Sequence, residues 1–227
     1  MSPFSILSPS KSPILPFFRG IWRNSMKTIL TYIILSCFSI LWYGFDVLDT
    51  APKKEYTFQI LSESYILING SSNVNKFSCK VNRPAGVTPL RLFILSDYKV
   101  KMEGSIKVNV AEFDCKHRVL TNDLRKTLKE DTYKQMTVHF KSLDQLPFDS
   151  KRAQTVNGTV LIELAGKKKE FSIPLVFSQI SEGKYQLKGT RDFCFEDFGL
   201  EAPKKVGGII KVKNDFNTTF VINLQQF

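Results

Sequence analysis

Four cysteines and two histidines are the side chains of this 227-residue chain whose chemistry could be redox, metal-binding or nucleophilic. Cys37 lies in an apolar run, and Cys79, Cys115 and Cys194 lie in the body of the chain. No CxxC occurs and no cysteine stands at ligand spacing from a histidine, so neither a thiol-redox motif nor a zinc site is expected. Cys79 and Cys115 each end an extended apolar run, "NKFSC" and "EFDC". In an oxidising compartment these two are the favoured pair, the rival being three free, buried thiols, and either way one cysteine is odd. His139 alternates onto the polar face of "QMTVHFK", and His117 sits between Lys116 and Arg118, so a histidine-based triad is not expected. Glu196 and Asp197 could do acid–base work, but such a pair reads first as a solvated loop. Asn69, Asn157 and Asn217 each open an N-x-Ser/Thr acceptor pattern made of ordinary turn residues. The expectation is no catalytic residue, no metal and no cofactor.

The elements that must position these residues are strands. "SIKVNV" alternates Ile106, Val108 and Val110 with polar residues, and "QMTVHFK" does the same with Met136, Val138 and Phe140. "TVLIELAG" keeps Val160, Ile162 and Leu164 on one side, and "KEFSIPLVF" keeps Phe171, Ile173, Leu175 and Phe177. "KYQLK" and "TFVINL" continue the pattern. Period-two alternation is the mark of half-buried strands. Glycine-bearing turns at 157–158, 165–166, 181–184 and 204–208 separate the runs, and Pro174 marks an edge or a bulge. One segment has a different period: Leu120, Leu124 and Leu128 recur every fourth residue in "LTNDLRKTLKED", with Thr121 or Asn122 as the cap. About eight strands and one mid-chain helix predict an all-β, antiparallel, eight-stranded barrel whose interior is either filled by side chains or holds one elongated ligand. In "NGSSNVNKFSC", Asn69–Ser72 is expected to bend the chain, with Val74, Phe77 and Cys79 re-entering the barrel.

The N-terminal part reads differently. Residues 1–25 are rich in Ser and Pro and are taken as a disordered or mis-assigned extension, with Met26 a plausible start. Arg23 and Lys27 precede the apolar stretch 29–45, the layout of a signal peptide over 26–45, or of a membrane anchor if it is retained. Cys37 follows a small residue, as in a lipidation signal, but the apolar run continues past it. Residues 46–55 form a polar linker, and the barrel domain covers 56–227. The formal charge is +11, of which +8 lies beyond residue 55, scattered as a lysine-rich exterior. That balance is compatible with an anionic membrane surface, and nucleic acid is not expected as a partner.

Five collinear segments carry a resemblance. "INGSSNVNKFSCKV" resembles the I-x-G-S/T-T/S-N-V-x-x-F opening of the YceI-like family. "EGSIKVNVAEFDC", "TNDLRKTLKEDTYKQMTVHFKSL", "VNGTVLIELAGKKKEFSIPL" and "RDFCFEDFGL" are similar to its later strand, helix–strand, hairpin and D-F-G segments, with Gln135 where proline is usual. The likeness spans residues 60–227. It implies a lipocalin-like barrel with one short helix, exported to the periplasm or beyond, that holds a polyisoprenoid or isoprenoid-quinone-like lipid. In such a bacterial protein the three acceptor asparagines would go unused.

The expected lipid tunnel is lined by inward-facing apolar residues. These are Phe77 after the bend, Ile106, Val108 and Val110 on one strand with Phe113 beyond it, and Leu124 and Leu128 on the helix. Phe140, Ile162, Phe171, Ile173 and Leu187 follow on the later strands. A lipid-modifying, isomerase-type enzyme would require a titratable group turned inward, which no strand clearly supplies. A filled barrel acting through its basic surface is the third reading, and the sequence leaves a homodimer open.

Overall fold

The alternating runs pair as one sheet. In the computed structural model, which describes residues 54–81, 86–95, 99–147, 152–205 and 209–227, nearly every period-two segment is a strand. The extension at 1–25, the hydrophobic segment at 26–45 with Cys37, and the linker up to residue 53 lie outside the described residues. The first strand begins at Lys54, two residues ahead of the expected domain start.

Strands β1 (Lys54–Ile60) and β2 (Tyr65–Ser71) run in one direction along the last strand, β14 (Asp215–Gln226), with Ile60 opposite Leu224 and Tyr65 opposite Val221. They form one bent wall strand. At the break, Leu61 N–H donates to Asn223 O (2.8 Å), and Asn223 N–H donates to the buried Ser64 Oγ (3.0 Å). A side-chain hydroxyl thus replaces a ladder carbonyl and keeps a buried N–H satisfied. β3 (Lys76–Val81), β4 (Gly86–Val87) and β5 (Leu90–Ile94) form the next wall, β3 on β2 and β5 on β1. β6 (Val100–Glu103) pairs with β5, β7 (Ser105–Asn109) pairs with β4, and both pair with β8 (Gln135–Leu143).

From β8 the meander continues through β9 (Gln154–Leu164), β10 (Lys167–Ser181) and β11 (Lys184–Cys194) to β14. The described residues therefore close into an eight-stranded antiparallel barrel, β12 (Lys204–Lys205) and β13 (Ile210–Lys211) forming a separate small ribbon. The β9–β10 hairpin turns on Ala165 (φ 49°) and Gly166 (φ 78°), the two positive φ values that a two-residue type I′ turn needs.

Pro174 pairs with Asn157 on one side, and the β10–β11 ladder starts at the next residue, Leu175. Its missing N–H therefore falls where β10 has no partner on that side, as an edge proline should. In the gap, Arg191 donates to Ser172 O (2.5 Å), its guanidinium 5.1 Å from the Phe171 ring centroid and 5.7 Å from that of Phe193.

The helix α1 (Arg118–Thr127) begins earlier than the expected cap at Thr121 or Asn122. His117 is the N-cap, its Nδ1 accepting from Leu120 N–H (3.4 Å). Thr121 is instead buried, and its hydroxyl accepts from Cys115 N–H (3.0 Å). A threonine engaged one turn inside the helix thus looked like a cap in sequence. Val74 is a second difference: β2 and β3 join through a tight turn over 72–75, and Val74 stands 58% exposed at its tip rather than inside the barrel.

Candidate functional site

The barrel end away from α1 is filled. Phe58, Leu90, Val100 and Leu224 are almost wholly buried there, and Tyr185 packs edge-on to Phe58 (5.6 Å between centroids) and stacks on Phe177 (5.2 Å). The end capped by α1 contains a cavity. Its walls are Ile66, Ile68 and Gly70 of β2, Phe77 and Cys79 of β3, Ile162 and Leu164 of β9, and Phe216, Thr218 and Phe220 of β14. Phe113, Leu124 and Leu128 cover it, and Phe193, Phe195 and Phe198 close its rim with Val212 and Lys213. The lining is almost purely apolar, Thr218 and Lys213 being its polar residues, so it offers a hydrocarbon chain burial and offers little to a polar group.

The free space is about 60 Å³, well short of the roughly 300–1,000 Å³ of small-molecule pockets. Aromatic side chains take up most of the volume. Phe193 lies 4.9 Å from Phe171 and 6.0 Å from Phe216, and Phe216 lies 5.0 Å from Phe195.

The cover is fastened to the wall at two points and braced within itself at a third. Cys79 and Cys115 form a disulfide, joining β3 to the residue three before α1. Lys80 and Asp114 exchange backbone hydrogen bonds of 2.8 and 3.0 Å beside it. Arg125 of α1 donates through Nη2 to Phe113 O (3.1 Å). Cys194 is the odd cysteine. It caps the 3-10 turn Phe195–Phe198, where Asp197 accepts from Cys194 N–H (3.0 Å) and from Lys169 Nζ (2.6 Å). Desolvation alone would raise the Asp197 pKa, but these hydrogen bonds together outweigh it and hold the carboxyl below its ordinary value. Desolvation first, then the Asp197 carboxylate, pushes the Cys194 thiol above its ordinary value.

Of the expected lining, Phe77, Phe113, Leu124, Leu128 and Ile162 border this cavity, together with Cys79. Ile106 and Val108 border a separate gap of about 20 Å³ between β2, β7 and β8. Val110, Phe140, Phe171, Ile173 and Leu187 point inward and are buried in the packed core, bordering neither space. Alternation reports which face is inward; it does not report height along the barrel axis, and the cavity occupies one end only. The phenylalanines of "RDFCFEDF" were missed for a related reason. They lie on a strand end and a 3-10 turn, where period two breaks down, although their density was a signal. Glu196 is exposed, and Asp197 is bound to its own turn rather than aimed at the cavity. His117 caps a helix and His139 is half-buried on β8. Among the described residues no group of three His, Cys, Asp or Glu could hold a metal ion, and no helix is long and apolar enough to cross a membrane.

The architecture is a meander of eight antiparallel strands closed on itself with one helix over an apolar end, and solved structures share this fold. Among solved structures, Burkholderia cenocepacia BcnA superposes with a TM-score of 0.56 at 13% identity, covering 73% of this chain and 99% of its own. A polyisoprenoid-binding domain from Saccharophagus degradans, implicated in plant cell wall breakdown, gives 0.53 at 12% identity over 78% of this chain and 99% of that one. At such identities the likeness is one of fold. No family model and no curated protein matches the sequence.

Proposed function

We propose that the protein is an exported lipid-binding protein that holds the hydrocarbon tail of a polyisoprenoid-type amphiphile at the helix-capped end of its barrel. The observation that carries this reading is the apolar cavity between α1, β2, β3 and β14, at the end of the barrel where the core is not solid. The shared fold with a polyisoprenoid-binding domain supports it. Each apolar Å² of tail removed from water contributes about 25 cal/mol, enough to offset displacement of a few mouth side chains. The headgroup stays outside, because the lining offers few polar partners beyond Thr218 and, at the rim, Lys213.

A second reading, a filled barrel acting through its basic surface, is favoured by the small free volume of about 60 Å³. Native mass spectrometry with lipid extraction of protein purified from its own host separates the two. A co-purifying polyprenyl compound is expected. Protein that is reproducibly empty, and that fails to take up added polyprenol, supports the filled barrel.

A further inference from the structure

The tip of the β2–β3 hairpin and the segment 209–213 are bound into one projection beside the cavity. Asn73 is the clamp. Its N–H donates to Lys211 O (3.1 Å), its Nδ2 donates to Ile209 O (2.9 Å), and its Oδ1 accepts from Lys211 N–H (2.9 Å). Lys213 N–H donates to Ser71 O (2.8 Å), and Ser72 bridges Val212. Within the hairpin, Ser72 Oγ accepts from Val74 N–H (3.2 Å) and Asn75 N–H (3.0 Å). The projection is therefore held in a defined shape, yet it presents two large apolar side chains to water, Val74 (58% exposed) and Ile209 (70% exposed). Most of the apolar surface of each stays in water, so folding gains little from either.

Its flanks are basic. Lys76, Lys211 and Lys213 are exposed around it. Asp192 and Asp215 lie in the groove outside β2, β11 and β14, where Asp192 accepts from Asn217 Nδ2 (2.7 Å), and Glu201 is exposed two residues before Pro203, whose carbonyl accepts from Val212 N–H (3.0 Å). The same segments line the cavity, through Gly70 and Phe77 on the hairpin arms and Val212 and Lys213 on the other strand.

Exposed aliphatic tips ringed by lysines, on a rigid mount at the mouth of an apolar cavity, match the layered chemistry of an anionic bilayer. We propose that Val74 and Ile209 insert into the interfacial region of an anionic membrane, with the lysines on its headgroups. In that pose the cavity mouth faces the acyl layer and an apolar tail exchanges without crossing water. This rests on the lipid-binding reading and adds the partner and the site of contact. The opposite end also exposes Ile180 (61%) and Phe227 (78%), but its interior is packed solid.

The test asks which end touches the membrane, so it holds for the full chain whether or not residues 29–45 are anchored. V74W, I209W and, as the opposite-end control, I180W are mixed with vesicles of phosphatidylcholine alone or with phosphatidylglycerol, carrying brominated acyl chains. The wild-type signal from Trp22 and Trp42 is subtracted. With anionic vesicles, V74W and I209W should be quenched several-fold more than I180W, and high salt or neutral vesicles should remove most of the difference. Equal quenching at all three sites, or none, overturns the proposal. The V74D/I209D double variant should slow delivery of a polyprenol from anionic vesicles at least about tenfold, while taking up detergent-solubilised polyprenol as wild type does. Quenching at 74 and 209 in a protein that takes up no lipid would sink the carrier reading and leave the docking. Lipid uptake without preferential quenching would do the reverse.

Discussion

The far edge of the Phe77 ring sits over Gly70, its cross-strand partner in the β2–β3 hairpin. A β-carbon added at Gly70 would stand 2.5 Å from Phe77 Cζ. Both residues border the apolar cavity and the open groove outside it. The missing side chain at position 70 is what lets the aromatic ring close the mouth at this point.

That relationship makes Gly70→Ala a probe of the mouth. The new methyl group must displace the far end of the Phe77 side chain, which is free to rotate because it is only half-buried. Urea unfolding should show a loss of about 1–3 kcal/mol, the ordinary cost of overpacking. A polarity-sensitive apolar dye should bind more tightly to the variant than to wild type. Unchanged dye binding would mean that Phe77 does not govern access.

Removing the disulfide loosens the cover. Cys79 and Cys115 are 36 residues apart in sequence, and closing a loop of that length in the unfolded chain is worth about 3–4 kcal/mol on the chain-entropy account. The double variant Cys79→Ala/Cys115→Ala should lose roughly that much stability by chemical denaturation, and should show faster amide exchange over α1 first. Reduction of the wild type should reproduce both effects, while Cys194→Ala should produce neither.

The barrel was legible because alternation survives wherever one strand face is buried. β8, β9 and β10 read directly from Met136 to Phe177, and the β9–β10 turn from Ala165-Gly166. Val74 was not legible. It stands three residues before Phe77, out of phase with the Phe77–Cys79–Val81 alternation, and the tight turn over 72–75 takes it out of the wall. The helix start was hidden because His117 does the capping while Thr121, the better cap by type, serves Cys115 N–H. The cavity was half legible. Phe77, Leu124 and Ile162 could be named as inward-facing, but their separation from Phe140 and Leu187 depends on height in the barrel, which only three-dimensional packing sets.

The helix leucines separate packing from binding. Leu124 and Leu128 are both largely buried over the cavity, and truncating either leaves a void beside space that already exists. Leu124→Ala or Leu128→Ala should cost about 2–5 kcal/mol in denaturant unfolding. Because the void joins the cavity, each variant should also bind a bulkier apolar probe than wild type accepts. Leu224→Ala, in the packed far end, should cost a similar amount and leave probe size selection unchanged.

Asp197 sets an acid limit on the rim of the same site. Its carboxyl is held below the ordinary carboxylate value by the Cys194 N–H and by Lys169 despite the cost of desolvation. The folded state thus binds its proton less readily than the unfolded chain does. The stabilisation is fully present above the unfolded carboxylate pKa of about 4 and is lost as pH falls through the lower folded value. Asp197→Asn should therefore be less stable than wild type at neutral pH by on the order of 1 kcal/mol, since Lys169 is half exposed and its contribution is screened. Urea titrations repeated down the pH scale should show the two proteins converging below pH about 4. A gap that stays constant across that range would mean that the turn depends on the shape of the side chain rather than on its charge.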